Sequence, residues 1–183
     1  MTVALVLGGA EHVFDDIKAY RGVVDGVVAC NEIGTLWGGP LDAWCSIHPA
    51  NFQKRNWIST RRQNAYPDAL RLYCHETPHG PVMPDVIKTP LAFPGMDMSI
   101  SGSSGLLALR VALVDLGFDQ ALLCGMPLTA SPHYGGRENW VAKNGHSPAY
   151  DFRKIWQTIP PEWASRVRSM SGWTASVFGR PHD

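Results

Sequence analysis

The chain has 183 residues, with 16 basic side chains balanced by 16 acidic ones, a size that suits one domain burying roughly 70% of its unfolded surface. The charge balance excludes a phosphate-backbone footprint and an anionic-membrane surface, so no nucleic-acid partner is expected. No apolar stretch approaches the ~20 residues of a membrane span. The amino terminus lacks the basic region and cleavage site of an export signal, so a cytoplasmic protein is expected.

In chain order, Val3, Leu5 and Val6 belong to an apolar run too short for a helix, which predicts a strand buried on both faces. Gly8-Gly9-Ala10 follows, and its glycines permit a sharp turn and a close approach. A helix is predicted over 15–20, then a strand over 26–30 closed by Asn31, and a strand over 44–47 closed by His48-Pro49. Residues 50–62 read as one helix with a basic outer face that includes Arg61-Arg62, and 70–74 as another strand. Pro78, Pro81, Pro84, Pro90 and Pro94 make the stretch 75–94 an ordered loop or edge excursion rather than a regular element. Leu106, Leu109, Leu113 and Leu116 form the stripe of the clearest helix, ended by Gly117. A buried strand over 120–124 stops at Gly125-Met126-Pro127. Residues 128–148 read as a loop rich in Gly and His, 150–157 as a last helix and 167–170 as a final strand.

Strands alternating with helices predict a single Rossmann-like three-layer α/β domain over 1–183, with a mostly parallel sheet and helices on both faces. Cys30, Cys45, Cys74 and Cys124 have no C-x-x-C spacing and read as reduced core thiols. Most of the 7 tryptophans are assigned to the core. Asp15-Asp16 reads as a helix-start pair complementing the dipole.

In such folds ligands bind outside the carboxyl ends of the strands. Those ends carry Gly8-Gly9, Asn31, His48-Pro49 and Gly125-Met126, and Ser101-Gly102-Ser103-Ser104-Gly105 opens the leucine helix. Small residues at a helix start suit a phosphate, although Ser is also an ordinary N-cap, and both readings stay open here. Glu11, His12 and Val13 follow Gly8-Gly9, so the G-x-G-x-x-G fingerprint is missing and NAD binding is disfavoured; G-K-[ST] is missing too. His79, His133 and His146 lack close ligand spacing, so no metal is expected.

Val3 to Gly9, Ala29-Cys30-Asn31 and Ile47-His48-Pro49-Ala50, followed by Ile100 to Gly105 and Gly117 to Met126, resemble the bacterial sialyltransferases that use CMP-sialic acid. They are also similar to Rossmann proteins of the 6-hydroxymethylpterin diphosphokinase type. The resemblance spans about two thirds of the chain. It implies nucleotide contacts at Gly8, Gly9, Ala10, Asn31, His48, Ser103, Ser104, Gly105, Gly125 and Met126, and a lid over 128–148. Within the lid it implies that Tyr134 faces the donor phosphate and that His146 is the catalytic base, a role that suits an imidazole. The family's Gly-Asn-Gly-Pro-Ser turn is here Gly-Gly-Ala-Glu-His, and Asp97-Met98-Ser99 stands where the family has a basic residue.

Three readings follow. The first is a transferase moving a sugar from a nucleotide-activated donor, with no cofactor beyond the nucleotide ligand. The second is a protein that binds or sequesters a nucleotide or nucleotide-derived signal without turnover, which the absent basic residue favours. The third is a pterin-type diphosphokinase relative, which needs Mg²⁺ and acidic ligands. Self-association is left open.

Overall fold

The computed structural model describes residues 1–77, 81–96, 103–134 and 148–181. Seven parallel strands form one sheet: β1 (Val3–Leu7), β2 (Gly26–Cys30), β3 (Ala43–Cys45), β4 (Leu72–His75), β5 (Val86–Thr89), β6 (Gln120–Cys124) and β7 (Val167–Ser169), in the order β5-β4-β3-β2-β1-β6-β7. The chain therefore builds outward from β1 to β5, crosses back, and continues on the other side of β1. Leu7 stands level with Ala29 of β2 and Cys124 of β6, which sets the tips of the three central strands side by side. The apolar runs of β1, β2 and β6 are buried on both faces, as continuous apolar sequence requires in a covered parallel sheet.

One face carries α1 (Val13–Ala19), α2 (Ile33–Leu36), α3 (Asn51–Lys54) and α4 (Trp57–Gln63), whose Val13, Ile33, Phe52 and Trp57 pack with Leu5, Leu7, Ala29 and Trp44. The opposite face is covered first by α5 (Ser104–Arg110), which runs on into a π-helical turn over Val111–Asp115. This helix is buried around its circumference, from Leu106 and Leu107 to Val111 and Leu113, as its apolar sequence demands. Helices α6 (Pro148–Trp156), α7 (Pro161–Ala164) and α8 (Gly172–Phe178) follow, with α8 packed on β7, and Ile155, Trp156 and Phe178 join the same core. Trp44, Trp57 and Trp156 are core residues, and all four cysteines are buried and free.

Several expectations are corrected. The helix read over 50–62 is two, because Asn56 takes a left-handed φ of 54° between α3 and α4. The proline-rich stretch contains the edge strand β5, placed between Pro84 and Pro90 so that neither proline interrupts the ladder. The short helices α2, α7 and α8 were outside the sequence reading. Arg62 pairs with Asp68 at an exposed site, but Arg61 is 1% exposed. Its guanidinium donates to the carbonyls of Gly34 (2.7 Å), Trp37 (2.5 Å), Gly39 (2.6 Å) and Pro67, and so fixes the 34–39 turn against α4.

Replacing Arg61 with Met keeps the volume and removes every donor from those carbonyls. The expected loss is about 3 kcal/mol in urea denaturation, with Arg61→Lys recovering part of it; a loss below about 1 kcal/mol would show that water serves these carbonyls equally well.

The thiols give a pH prediction. Burial raises Cys30 from 9.0 to about 12, and burial likewise raises Cys45, Cys74 and Cys124. The unfolded chain thus loses thiol protons at a pH where the folded chain keeps them. Stability is complete below pH 9 and falls between pH 9 and 12, by up to about 1.4 kcal/mol per pH unit per thiol. Urea midpoints measured across that range should fall less steeply for Cys30→Ala.

Candidate functional site

The change of direction between β1 and β6 makes the ends of these strands the topological switch point, the usual location of a ligand crevice. Gly8 N donates to Cys124 O at 2.8 Å and Ala10 N to Gly125 O at 3.1 Å, so the two tips remain bonded beyond the sheet. A Cβ on Gly8 would lie 2.3 Å from Gly125 O and from Met126 Cγ. The approach that the glycines permit is thus made by the protein itself. At Gly9, a Cβ would lie 2.8 Å from Nδ1 of the exposed His133, whose ring covers this turn.

The remaining predicted contacts continue from this point as one arc. Met126 lies beside Gly105, its sulfur 3.2 Å from where a Gly105 Cβ would stand. Ser103 is the N-cap of α5: its Oγ accepts Leu106 N at 3.2 Å and Trp156 Nε1 at 3.4 Å. Ser104, buried beside it, accepts Ile47 N at 3.1 Å, tying α5 to the loop after β3. In that loop Ser46 Oγ accepts His48 N at 3.1 Å and donates to Asn31 Oδ1 at 2.9 Å. Asn31 sits at φ 54° at the end of β2, with its carbonyl accepting Trp44 Nε1 at 2.6 Å. His48 is exposed at the rim. Gly8, Gly125, Met126, Gly105, Ser103, Ser104, His48 and Asn31 are therefore brought together.

The serine hydroxyls carry the two readings left open by the sequence. Ser103 caps its helix, as the ordinary reading has it. Yet both Oγ atoms receive protein hydrogen bonds as acceptors, which leaves the O–H proton of each as a donor.

Of the lid, residues 128–134 fold over the β1 tip: Glu11 N donates to Pro132 O and Tyr134 N to Gly9 O, both at 2.9 Å. The exposed Tyr134 ring meets Phe14 edge-on at 4.9 Å. His146 and His79, and the Asp97-Met98-Ser99 stretch, lie outside the described residues. Pro148 begins α6.

The structure also shows a polar group that sequence reasoning missed. Asp16 is a buried crosslink: its Oδ2 accepts Gly125 N and Ser171 Oγ, each at 2.8 Å. His12 Nε2 stands 2.9 Å from Ser171 Oγ. The pairing joins residues 155 positions apart, so no local pattern announced it. Asp15 and Asp16 do stand in the first turn of α1, as the helix-start reading has it, and Asp16 is in addition a clamp on the β6 tip. Two surface clefts, of about 190 and 470 Å³, include none of the strand-tip residues of this arc.

Since the Gly8 Cβ position is already filled, Gly8→Ala should cost about 2–3 kcal/mol by forcing the β1 and β6 tips apart. Gly117→Ala is the control, because φ there is +72° but nothing lies within 4 Å; it should cost only about 1 kcal/mol of backbone strain. Equal losses of melting temperature for the two variants would show that tip packing is not the constraint.

No family model matches the sequence, and no curated protein matches it. Solved structures do match in shape over 98% of the chain. A sialyltransferase CST-II in complex with a trisaccharide acceptor and CMP superimposes with a TM-score of 0.63 at 12% identity, over 86% of its own chain. The sialyltransferase CstII from Campylobacter jejuni with cytidine-5'-monophosphate gives 0.59 at 13%, over 85% of its chain. The monofunctional α-2,3-sialyltransferase Cst-I of the same organism gives 0.56 at 13%, over 80%. At this level of identity the likeness establishes a shared α/β fold.

Proposed function

We propose that the chain is a nucleotide-binding transferase that moves a sugar from a nucleotide-activated donor to an acceptor hydroxyl at the β1/β6 crevice. The observation that carries this reading is the convergence of Asn31, Ser46 and Ser104 through direct contacts onto one arc with Gly105 and Met126. Asn31 Oδ1 is occupied by Ser46, so its Nδ2 is the end that would donate to a base carbonyl, with His48 at the ribose. Ser103 and Ser104 offer hydroxyl donors to the phosphates. The CMP and acceptor complexes of the structural neighbours support a donor and an acceptor class of this kind.

In the reaction, the acceptor oxygen bonds to the sugar's anomeric carbon while the bond from that carbon to the phosphate oxygen breaks. Its electron pair leaves on the phosphate, and the acceptor proton passes to a base. His146 is the proposed base and Tyr134 the proposed hydrogen-bond donor to the departing phosphate. Site binding without turnover is the second reading; what favours it is that Met126 and His133 already cover Gly8 and Gly9.

The test is a thermal-shift screen against CMP, UMP, AMP, GMP, ADP-ribose, NAD and nucleotide sugars. A ligand at 100 times its Kd stabilises by about 2.7 kcal/mol, a shift of several degrees. One nucleotide class should shift the melting temperature, and the matching nucleotide sugar should turn over. His146→Ala should then abolish turnover with nucleotide affinity kept within a few-fold. Stabilisation without turnover favours the second reading, and no shift with any nucleotide overturns both.

A further inference from the structure

The turn after β1 holds a polar chain that the transferase reading leaves unassigned. His12 Nε2 is 2.9 Å from Ser171 Oγ, and Ser171 Oγ is 2.8 Å from Asp16 Oδ2, the oxygen that also accepts Gly125 N. A carboxylate only accepts, so the single hydroxyl proton of Ser171 goes to Asp16. The imidazole must then donate from Nε2 to Ser171. Its other nitrogen, Nδ1, makes no hydrogen bond among the described residues. A second proton on Nδ1 creates a cation 3.8 Å from Asp16 Oδ2, in a setting where the carboxylate is one-tenth and the imidazole about one-third exposed. Pairs screened in this way from bulk water attract more strongly than surface pairs.

The position matters as much as the chemistry. His12 stands three residues beyond Gly9, and Tyr134 reaches the same turn from the other side, with its backbone on Gly9 O and its ring on Phe14. Asp16 holds the β6 tip as well, so the imidazole is referenced to both strands that form the crevice.

We propose that His12, protonated on both nitrogens and backed by Asp16 through Ser171, binds the phosphate of the nucleotide through Nδ1–H. This rests on the nucleotide reading above and adds a cationic residue to it. Hydrogen bonds to an ionised partner are about twice as strong as neutral ones. During transfer the electron pair of the breaking carbon–oxygen bond comes to rest on that phosphate, and a fixed cationic donor there stabilises the developing charge. The imidazole keeps its proton throughout. Ser171 and Asp16 are positioning residues.

The experiment compares calorimetric affinities for CMP, UMP, AMP and GMP with those for the corresponding nucleosides. It uses the unaltered chain, His12→Gln, His12→Lys and Ser171→Ala. Gln should lower affinity for the bound monophosphate about tenfold and leave the nucleoside unchanged. Lys should restore most of the preference for the monophosphate. Ser171→Ala should fall between, because it disconnects the ring from Asp16 while Gly125 keeps its carboxylate partner; it also carries the test if His12→Gln fails to fold by circular dichroism. An unaltered monophosphate-to-nucleoside ratio in His12→Gln or, if that variant does not fold, in Ser171→Ala overturns the role of His12 and leaves the nucleotide reading standing. Failure of the unaltered chain to bind any monophosphate overturns both.

Discussion

The contact between Gly8 and Gly125 is the constraint on which the rest of the site depends. These residues end the two central strands at the point where the chain reverses its direction of sheet growth. A side chain on Gly8 would overlap Gly125 O and Met126, and one on Gly125 would overlap Val13 and Gly8 O. Gly125 also holds a φ of +67°, which favours glycine independently of space. With both side chains absent, the two tips bond directly through Gly8 N and Ala10 N. The chain then leaves β1 toward α1 on one face, and leaves β6 across the tip of β1 on the way to Tyr134. The crevice wall is a backbone contact, and it has no slack.

The second wall is α5, and its rigidity follows from burial on every side. Most surface helices present one apolar stripe; this one is buried all round, against the sheet on one side and in contact with Trp156 of α6 at its start, so its rotation is opposed. Ser103 is held by Trp156 of α6, and Ser104 by Ile47 of the loop after β3. The two hydroxyls that the proposed reading assigns to the ligand are thus fixed by hydrogen bonds to other parts of the fold. Such support keeps polar groups at a working distance without their having to be ordered on binding.

How legible this was in the sequence varied with the range of the interaction. Strands β1, β2 and β6 were bounded closely because a parallel strand covered on both faces must be continuously apolar, and Gly8, Asn31 and Gly125 punctuate the runs. The stripe of Leu106, Leu109 and Leu113 likewise marked α5, although only the structure reveals that Leu107 and Val111 are buried on its other side. The edge strand β5 was hidden by prolines that flank rather than interrupt it. The break at Asn56 was hidden because asparagine is unremarkable in a basic helical pattern and yet tolerates the left-handed region. Arg61 shows a different failure, because its charge implied exposure; for Arg61 and Asp16 alike, nothing local said that four carbonyls or a distant Gly125 N–H awaited them. For the site, the strand-tip residues were legible and their supporting partners were not.

That division bears on how a chain with no net charge could favour an anion in the proposed reading. Lysine and arginine would announce a phosphate site in composition, whereas the proposed one draws on hydroxyl and imidazole donors that composition does not register. A serine hydroxyl whose oxygen already accepts protein N–H groups keeps its proton to donate to a ligand. Here Leu106 N, Trp156 Nε1 and Ile47 N supply those groups. His12 extends the same principle: its Nε2–H is committed to Ser171, which leaves Nδ1 as the nitrogen the proposal assigns to the phosphate. In this arrangement the selectivity for an anion lies in the partners of the donors rather than in their residue types. Removing Ser171 should therefore weaken phosphate binding, although Ser171 itself need never touch the phosphate.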